Sequence, residues 1–246
     1  MDVPLPMDKL SLSGFHDGDA INENQIHVVL VSTGSFNPPT YMHLRMFELA
    51  KDALTLKGYL VIGGYMSPVN DSYGKKGLLS AKHRIELCEL ACKSSSIIMV
   101  DPWEALQSSY QRTLTVLSRI RDSLNQSGLI PADSLKVMLL CGSDLLKSFN
   151  KPGFWIRNQV RIICRDYGIT CVRREGEEID DIISSDEILS ENKENIISVD
   201  EIVPNQISSS RIRDCIKRGL SVKYLTSDEV INYIGQHQLY VNADST

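Results

Sequence analysis

At 246 residues, 42% hydrophobic and 23% charged, the chain can bury one substantial core and is too apolar to stay disordered over most of its length. A net charge of −5 denies it the basic footprint of a nucleic-acid binder, so any anionic ligand needs a local basic pocket. No apolar stretch approaches membrane-spanning length, which argues against a membrane partner.

Residues 1–25 contain several acids and no uninterrupted apolar run, unlike a signal or transit peptide, and they read as a flexible leader. One domain is expected over 26–241, with a short tail at 242–246. Val28, Val29, Leu30 and Val31 form a continuous apolar run that predicts an interior strand of a parallel sheet. Gly34 supplies a turn, and Ser35, Asn37, Pro38 and Pro39 forbid regular structure until Thr40. Leu44, Phe47, Leu49, Ala50 and Leu54 then recur at helical spacing. Strands are predicted at 59–63, 97–101 and 135–142, and helices at 81–93 and 112–126. The strand at 135–142 runs into Gly142, Ser143 and Asp144, a second glycine and carboxylate at a strand end. Short strands are expected at 161–164 and 170–172 around a Tyr-Gly turn.

Between 175 and 201 stand eleven acidic residues and one basic residue, Lys193. Ile179, Ile182, Ile183, Ile188 and Leu189 make this segment a surface helix or loop packed onto the domain, with strand character resuming at 196–203. No catalytic role is expected of it. Helices at 208–219 and 227–238 close the chain, and the alternation of strands and helices predicts an α/β fold. Six cysteines, at 88, 92, 141, 164, 171 and 215, include no C-x-x-C and lack a second Cys/His pair beside Cys88 and Cys92. They read as buried reduced thiols, in keeping with cytosol or nucleus, and no metal-ligand set is expected.

Four stretches carry chemistry. His43 falls in the first turn of the first helix, where unpaired N–H groups and the positive end of the helix dipole favour an anion. Late in the chain, Ser208 or Ser209 can cap a helix, leaving Ser210 and Arg213 to face a second anion. Between them, a turn-rich loop carries Lys75 and Lys76, and Trp103, Tyr110 and Thr113 follow the strand at 97–101, where an exposed aromatic can stack on a cationic ring. Taken singly, each has an ordinary structural explanation: a common βα turn, a solvated basic helix, a solvated loop and a core tryptophan.

Together they do not. GSFNPPTYMH matches G-x-F-x-P-x-[H/T]-x-x-H, with Thr40 at the first bracketed position and His43 at the last, and HLRMFELA continues the match. ISSSRIR matches I-S-S-T-x-x-R, with Ser210 for Thr. From about 26 to 240 the chain resembles the eukaryotic-type nicotinamide/nicotinate mononucleotide adenylyltransferases of the nucleotidylyltransferase superfamily. The resemblance implies a Rossmann-like, doubly wound parallel sheet with C-terminal helices, adenylyl transfer from ATP carrying Mg²⁺, and a homo-oligomer. It implies ATP-phosphate contacts from Gly34, Ser35, Phe36, Thr40, His43, Ser208, Ser210, Arg211, Ile212 and Arg213, with His43 and Arg213 catalytic. For the pyridine mononucleotide and dinucleotide it implies Gly34, Ser35, Lys75, Trp103, Tyr110, Thr113, Gly142, Asp144, Phe154, Trp155 and Asn205. Tyr110 stands where an aromatic stacks on the pyridine ring, and GSDLL and KPGFW match further pocket elements. Two rivals are a nucleotidylyltransferase for another acceptor, such as a phosphopantetheine or choline phosphate derivative, and a noncatalytic sensor or chaperone. Tyr110 and Thr113 weigh against the first; His43, Ser210 and Arg213 weigh against the second.

Overall fold

The computed structural model describes residues 3–12, 25–203 and 205–241. The first apolar run forms β1 (His27–Gly34) and leads through a turn into α1 (Tyr41–Leu56). The chain continues through β2 (Leu60–Pro68), α2 (Ala81–Cys92), β3 (Ile98–Val100), α3 (Thr113–Ser127) and β4 (Leu135–Gly142). Short helices α4 (Ser143–Ser148) and α5 (Arg157–Ile162) precede β5 (Ile169–Val172). The acidic stretch folds into α6 (Ile179–Ser184), α7 (Glu187–Glu191) and β6 (Ile196–Val199), and α8 (Ser209–Lys217) and α9 (Asp228–Gln236) close the described chain.

The six strands lie in the order β3-β2-β1-β4-β5-β6. Every pairing is parallel. This is the doubly wound arrangement: the chain builds outward from β1 to β3, then returns to β4 on the other side. Neighbouring loops at the β1–β4 junction therefore leave in opposite directions and open a crevice at the strands' C-terminal ends. Gly34 and Gly142 sit at those ends.

Alternation along the strands supplies two cores. Val29, Val31, Ile62, Val137 and Leu139 join residues of α3, α5, α6 and α7 on one face. Val28, Leu30, Val61, Met138 and Leu140 join residues of α1 and α2 on the other. A third cluster packs Leu87 and Ala91 of α2 against Val230 and Ile234 of α9 and against Tyr240. Five cysteines are buried and Cys215 is half-buried, all as free thiols. Among the described residues, no helix is long and apolar enough to cross a membrane.

Three sequence expectations need correction. The leader is not free over residues 3–12, where Leu5 and Leu10 are buried and the Ser11 amide donates to the Ile62 carbonyl at 2.8 Å. Residues 13–24 of that leader, and the tail at 242–246, lie outside the described residues. The strand expected at 161–164 is instead helical, α5 running into a wide π turn at Ile163–Tyr167. Two adjacent parallel strands, β4 and β5, require a crossover, and Val160, Ile163, Cys164 and Tyr167 bury one face at spacings of three, one and three. The strand expected at 59–63 extends to Pro68 because Gly63 and Gly64 continue the sheet.

Those glycines permit close approach from opposite faces. A Cβ on Gly63 would lie 2.9 Å from Leu10, and one on Gly64 would lie 2.6 Å from the Phe47 ring and 3.1 Å from the Leu30 carbonyl. Gly64→Ala should therefore overpack the core and destabilise the protein by about 1–3 kcal/mol. Urea unfolding should show a lower midpoint at unchanged m-value; an unchanged midpoint would mean that Phe47 moves aside freely.

Candidate active site

The loop from Gly34 to Thr40 is shaped by its own side chains. Phe36 takes a positive φ of 43° and is buried, and its ring meets His43 edge-on at 5.2 Å. A side chain at Gly34 would press on that ring at 3.3 Å. Asn37 ties the loop to two distant segments: its amide donates to the Gly77 carbonyl at 2.8 Å, and its Oδ1 accepts from the Tyr240 hydroxyl at 2.8 Å and the Leu79 amide at 3.4 Å. Beneath it, fully buried Arg84 donates to the carbonyls of Leu79 and Ser35 and pairs with Asp71 at 2.7 Å. The loop bearing Lys75 is thereby fastened to the first motif.

Thr40 ends the loop as the N-cap of α1, in a capping box with His43. The Thr40 N–H donates to His43 Nδ1 at 3.0 Å, which makes Nδ1 an acceptor and leaves the proton of a neutral ring on Nε2. Burial at the cleft floor, reinforced by the nearby Arg174 guanidinium, pushes the His43 pKa down to about 4. At neutral pH this side chain is an uncharged Nε2–H donor.

The second motif comes from the far end of the chain. Ser208 caps α8 by accepting from the Arg211 amide, and Ser209 donates to the Pro38 carbonyl at 2.7 Å. Arg213 donates to the Asn37 carbonyl at 2.8 Å and to Ser210 Oγ at 3.4 Å. Ile212, fully buried, anchors the helix from below. Two helix N-termini thus border one cleft.

That cleft, about 700 Å³, is completed by the ends of β4 and β5 and the segment after β6. It gathers Ser35, Phe36, His43, Lys75, Gly142, Asp144, Asn205, Ser208, Ser210, Arg211 and Arg213 from the residues expected on sequence. It also gathers residues that were not expected, chiefly Asn37, Arg173, Arg174, Glu175 and Glu201. Arg174 forms an ion pair with Asp144, and its amide donates to Ser143 Oγ at 3.2 Å. The signal for Arg174 was present as a basic pair directly after a predicted strand at 170–172, and the acidic composition that follows masked it. Five basic and three acidic side chains line the cleft, a positive balance suited to a polyphosphate. Burial, then Arg213, lowers the pKa of Lys75, so a bound anion would restore what the lysine loses.

Other expected residues stand outside this lining. Gly34 and Thr40 shape its floor, and Ile212 underlies α8. Trp103 is half-buried, with the Arg119 guanidinium over its ring at 5.2 Å. Tyr110 stacks on Tyr73 at 5.7 Å, and Thr113 is buried at the start of α3. The Asn70 amide donates to the Glu104, Ala105 and Gln107 carbonyls, fastening this aromatic group to the Lys75 loop. Phe154 is exposed, whereas Trp155 packs edge-on against Phe149 at 4.6 Å and donates to Ser148 Oγ at 3.0 Å. Both therefore lie beyond the cleft, on the loop between α4 and α5. Among the described residues, no three His, Cys, Asp or Glu side chains group as a metal site.

Residues 31–215 match the cytidylyltransferase-like family model. The chain is 65% identical over 246 residues to a nicotinamide/nicotinic acid mononucleotide adenylyltransferase of Oryza sativa, covering all of this chain and 97% of that one. The chain belongs to the nicotinamide/nicotinate mononucleotide adenylyltransferase family. An adenylyltransferase of that name from Arabidopsis thaliana is 65% identical, with 98% of each chain covered. The solved nicotinic acid mononucleotide adenylyltransferase of Plasmodium falciparum, complexed with NaAD, shares this adenylyltransferase's fold at 20% identity, with a TM-score of 0.60 over 87% of this chain and 97% of that one.

The depressed His43 pKa carries a sign. An unfolded imidazole takes up its proton near the usual 6.5, and the folded one only near 4, so the stability this group contributes is full above 6.5 and lost as pH falls towards 4. Melting temperature should drop across that window more steeply for the wild type than for His43→Gln, which keeps the capping box without the titrating ring. Parallel curves would contradict a neutral, half-buried His43.

Proposed function

We propose that this enzyme transfers the adenylyl group of Mg-ATP to nicotinamide mononucleotide or nicotinate mononucleotide, giving NAD or deamido-NAD and pyrophosphate. The observation that carries the reading is the pairing of a neutral Nε2–H at His43 with the Ser210–Arg213 end of α8 across one basic cleft. Both reactants are anions, so the catalyst must neutralise repulsion and hold donor and acceptor in line. The mononucleotide 5′-phosphate oxygen forms a bond to the α-phosphorus as the bond from that phosphorus to the bridging oxygen of pyrophosphate breaks. No protein nucleophile takes part. Mg²⁺ arrives on the triphosphate as part of the substrate.

His43 donates to a non-bridging α-phosphate oxygen, and Arg213 and Lys75 stabilise the charge that gathers on the phosphates. Ser208, Ser210 and Arg211 hold the triphosphate at the N-terminus of α8. Asp144, paired with Arg174, offers its remaining lone pairs to ribose hydroxyls, and Gly142 lets the nucleotide approach the end of β4. Trp103, Tyr110 and Thr113 form the pyridine side, fastened through Asn70 to the Lys75 loop. Asn205, in the cleft lining, borders the dinucleotide, whereas Phe154 and Trp155 stand outside that lining.

The test is pyrophosphate release with Mg-ATP and, separately, each pyridine mononucleotide and phosphopantetheine. Turnover is expected with a pyridine mononucleotide. His43→Ala and Arg213→Ala should each lower kcat by about 10²–10³, the effect of removing one preorganised donor to a charged transition state. Their melting temperatures should fall only modestly. Turnover with phosphopantetheine alone would redirect the proposal to that acceptor, and variants losing fold and rate together would remove the two residues from catalysis.

A further inference from the structure

Residues 3–12 lie across the β2–β3 side of the sheet and are held by chemistry spread along their length. Leu10 fills the space over Gly63, where a Cβ would come within 2.9 Å of it. The Lys9 ammonium donates to the Cys92 carbonyl at 2.8 Å and the Ile98 carbonyl at 3.0 Å, joining the end of α2 to the start of β3. The Pro6 carbonyl accepts from the buried Tyr65 hydroxyl at 2.8 Å. At the front of the strap, the Val3 carbonyl accepts from the Arg119 guanidinium.

Arg119 is the junction. The same guanidinium pairs with Asp101 at 2.7 Å, a carboxylate with no exposed side-chain surface, and lies over the Trp103 ring at 5.2 Å. Asp101 in turn accepts from the Trp103 amide at 3.3 Å, while its own amide extends β3 pairing by donating to Met66 at 3.0 Å. One planar cation thus fixes the turn after β3 by its charge, the tryptophan by its face, and the N-terminal segment by its remaining N–H groups. Lysine has neither the fork nor the flat face needed to do all three.

We propose that residues 3–12 form a strap that, through Arg119, positions Trp103 and thereby sets the affinity of the pyridine mononucleotide half of the site, with Arg119 a positioning residue. The proposal rests on the pyridine-nucleotide reading above. ATP binding depends on the opposite region of the site, α8 and the Asn37 loop, which makes no contact with Arg119 among its described partners.

The experiment measures KM for both substrates in the full-length enzyme, in a deletion of residues 2–12, in Arg119→Lys, and in the two combined. Each single variant should raise KM for the mononucleotide by about five- to tenfold, as loss of an oriented cation–π and hydrogen-bonded link predicts, with KM for ATP within about twofold. The combined variant should be no worse than either single one, because both cut the same link. Should the deletion fail to fold, Lys9→Met takes its place, releasing two carbonyls while leaving both cores intact. Equal rises in both KM values, additive effects, or lower melting temperature with unchanged KM would each overturn the strap's role and leave the assigned reaction standing. A wild-type enzyme inactive with both pyridine mononucleotides would overturn the reaction and the strap's role together.

Discussion

One buried amide, that of Asn37, holds the two halves of the site in register. Its side chain joins the Lys75 loop through Gly77 and Leu79 and the C-terminal segment through Tyr240, and its carbonyl receives Arg213. A primary amide has two donor and two acceptor positions, and here both kinds are used on groups far apart in sequence. Because the residue is buried, each lost partner would leave an unsatisfied polar group, and that penalty keeps the arrangement unique. His43 on α1 and Arg213 on α8 are consequently brought together beside a cross-braced loop, although the two helices lie more than 150 residues apart.

The electrostatics of the cleft follow from that mounting. A phosphate site made solely of permanent cations would repel itself when empty of anions, and Lys75 already loses proton affinity to burial and to Arg213. His43 avoids adding to the repulsion: Thr40 occupies Nδ1, and burial with Arg174 nearby keeps the ring uncharged. It therefore contributes a directed donor without contributing charge, while Asp144 partly neutralises Arg174. The sequence motif shows which residues are present; the cap shows which nitrogen does the donating.

Legibility in the sequence divided along the range of the interactions concerned. Thr40 with His43, and Ser208 with Arg211, act over three residues, so both helix starts and their anion-facing character could be read from local spacing. The α/β class needed only the alternation of elements, and β4 was placed to the residue. Residues 157–167 carried a helical burial pattern, yet Val160, Ile162 and Ile163 are β-branched, and strand propensity outweighed spacing in the reading. The partners of Asn37 and of the strap at 3–12 were out of reach for another reason: they lie tens to hundreds of residues away, and nothing in their neighbours encodes that pairing. Glycines 63 and 64 looked like an interruption because only the opposing Leu10 and Phe47 explain them.

An open sheet, unlike a barrel, leaves two strands with one unpaired side. Here those are β3 and β6, only three and four residues long. Each offers another molecule a ladder of very few hydrogen bonds, while the long and strongly apolar β1, β2 and β4 are enclosed between neighbours. β6 is further flanked by Lys193 and Glu194 on one side and by Asp200 and Glu201 on the other. Charges bracketing a short apolar strand oppose cross-β stacking, so the acidic stretch that sends Glu175 and Glu201 to the cleft also guards this edge of the sheet.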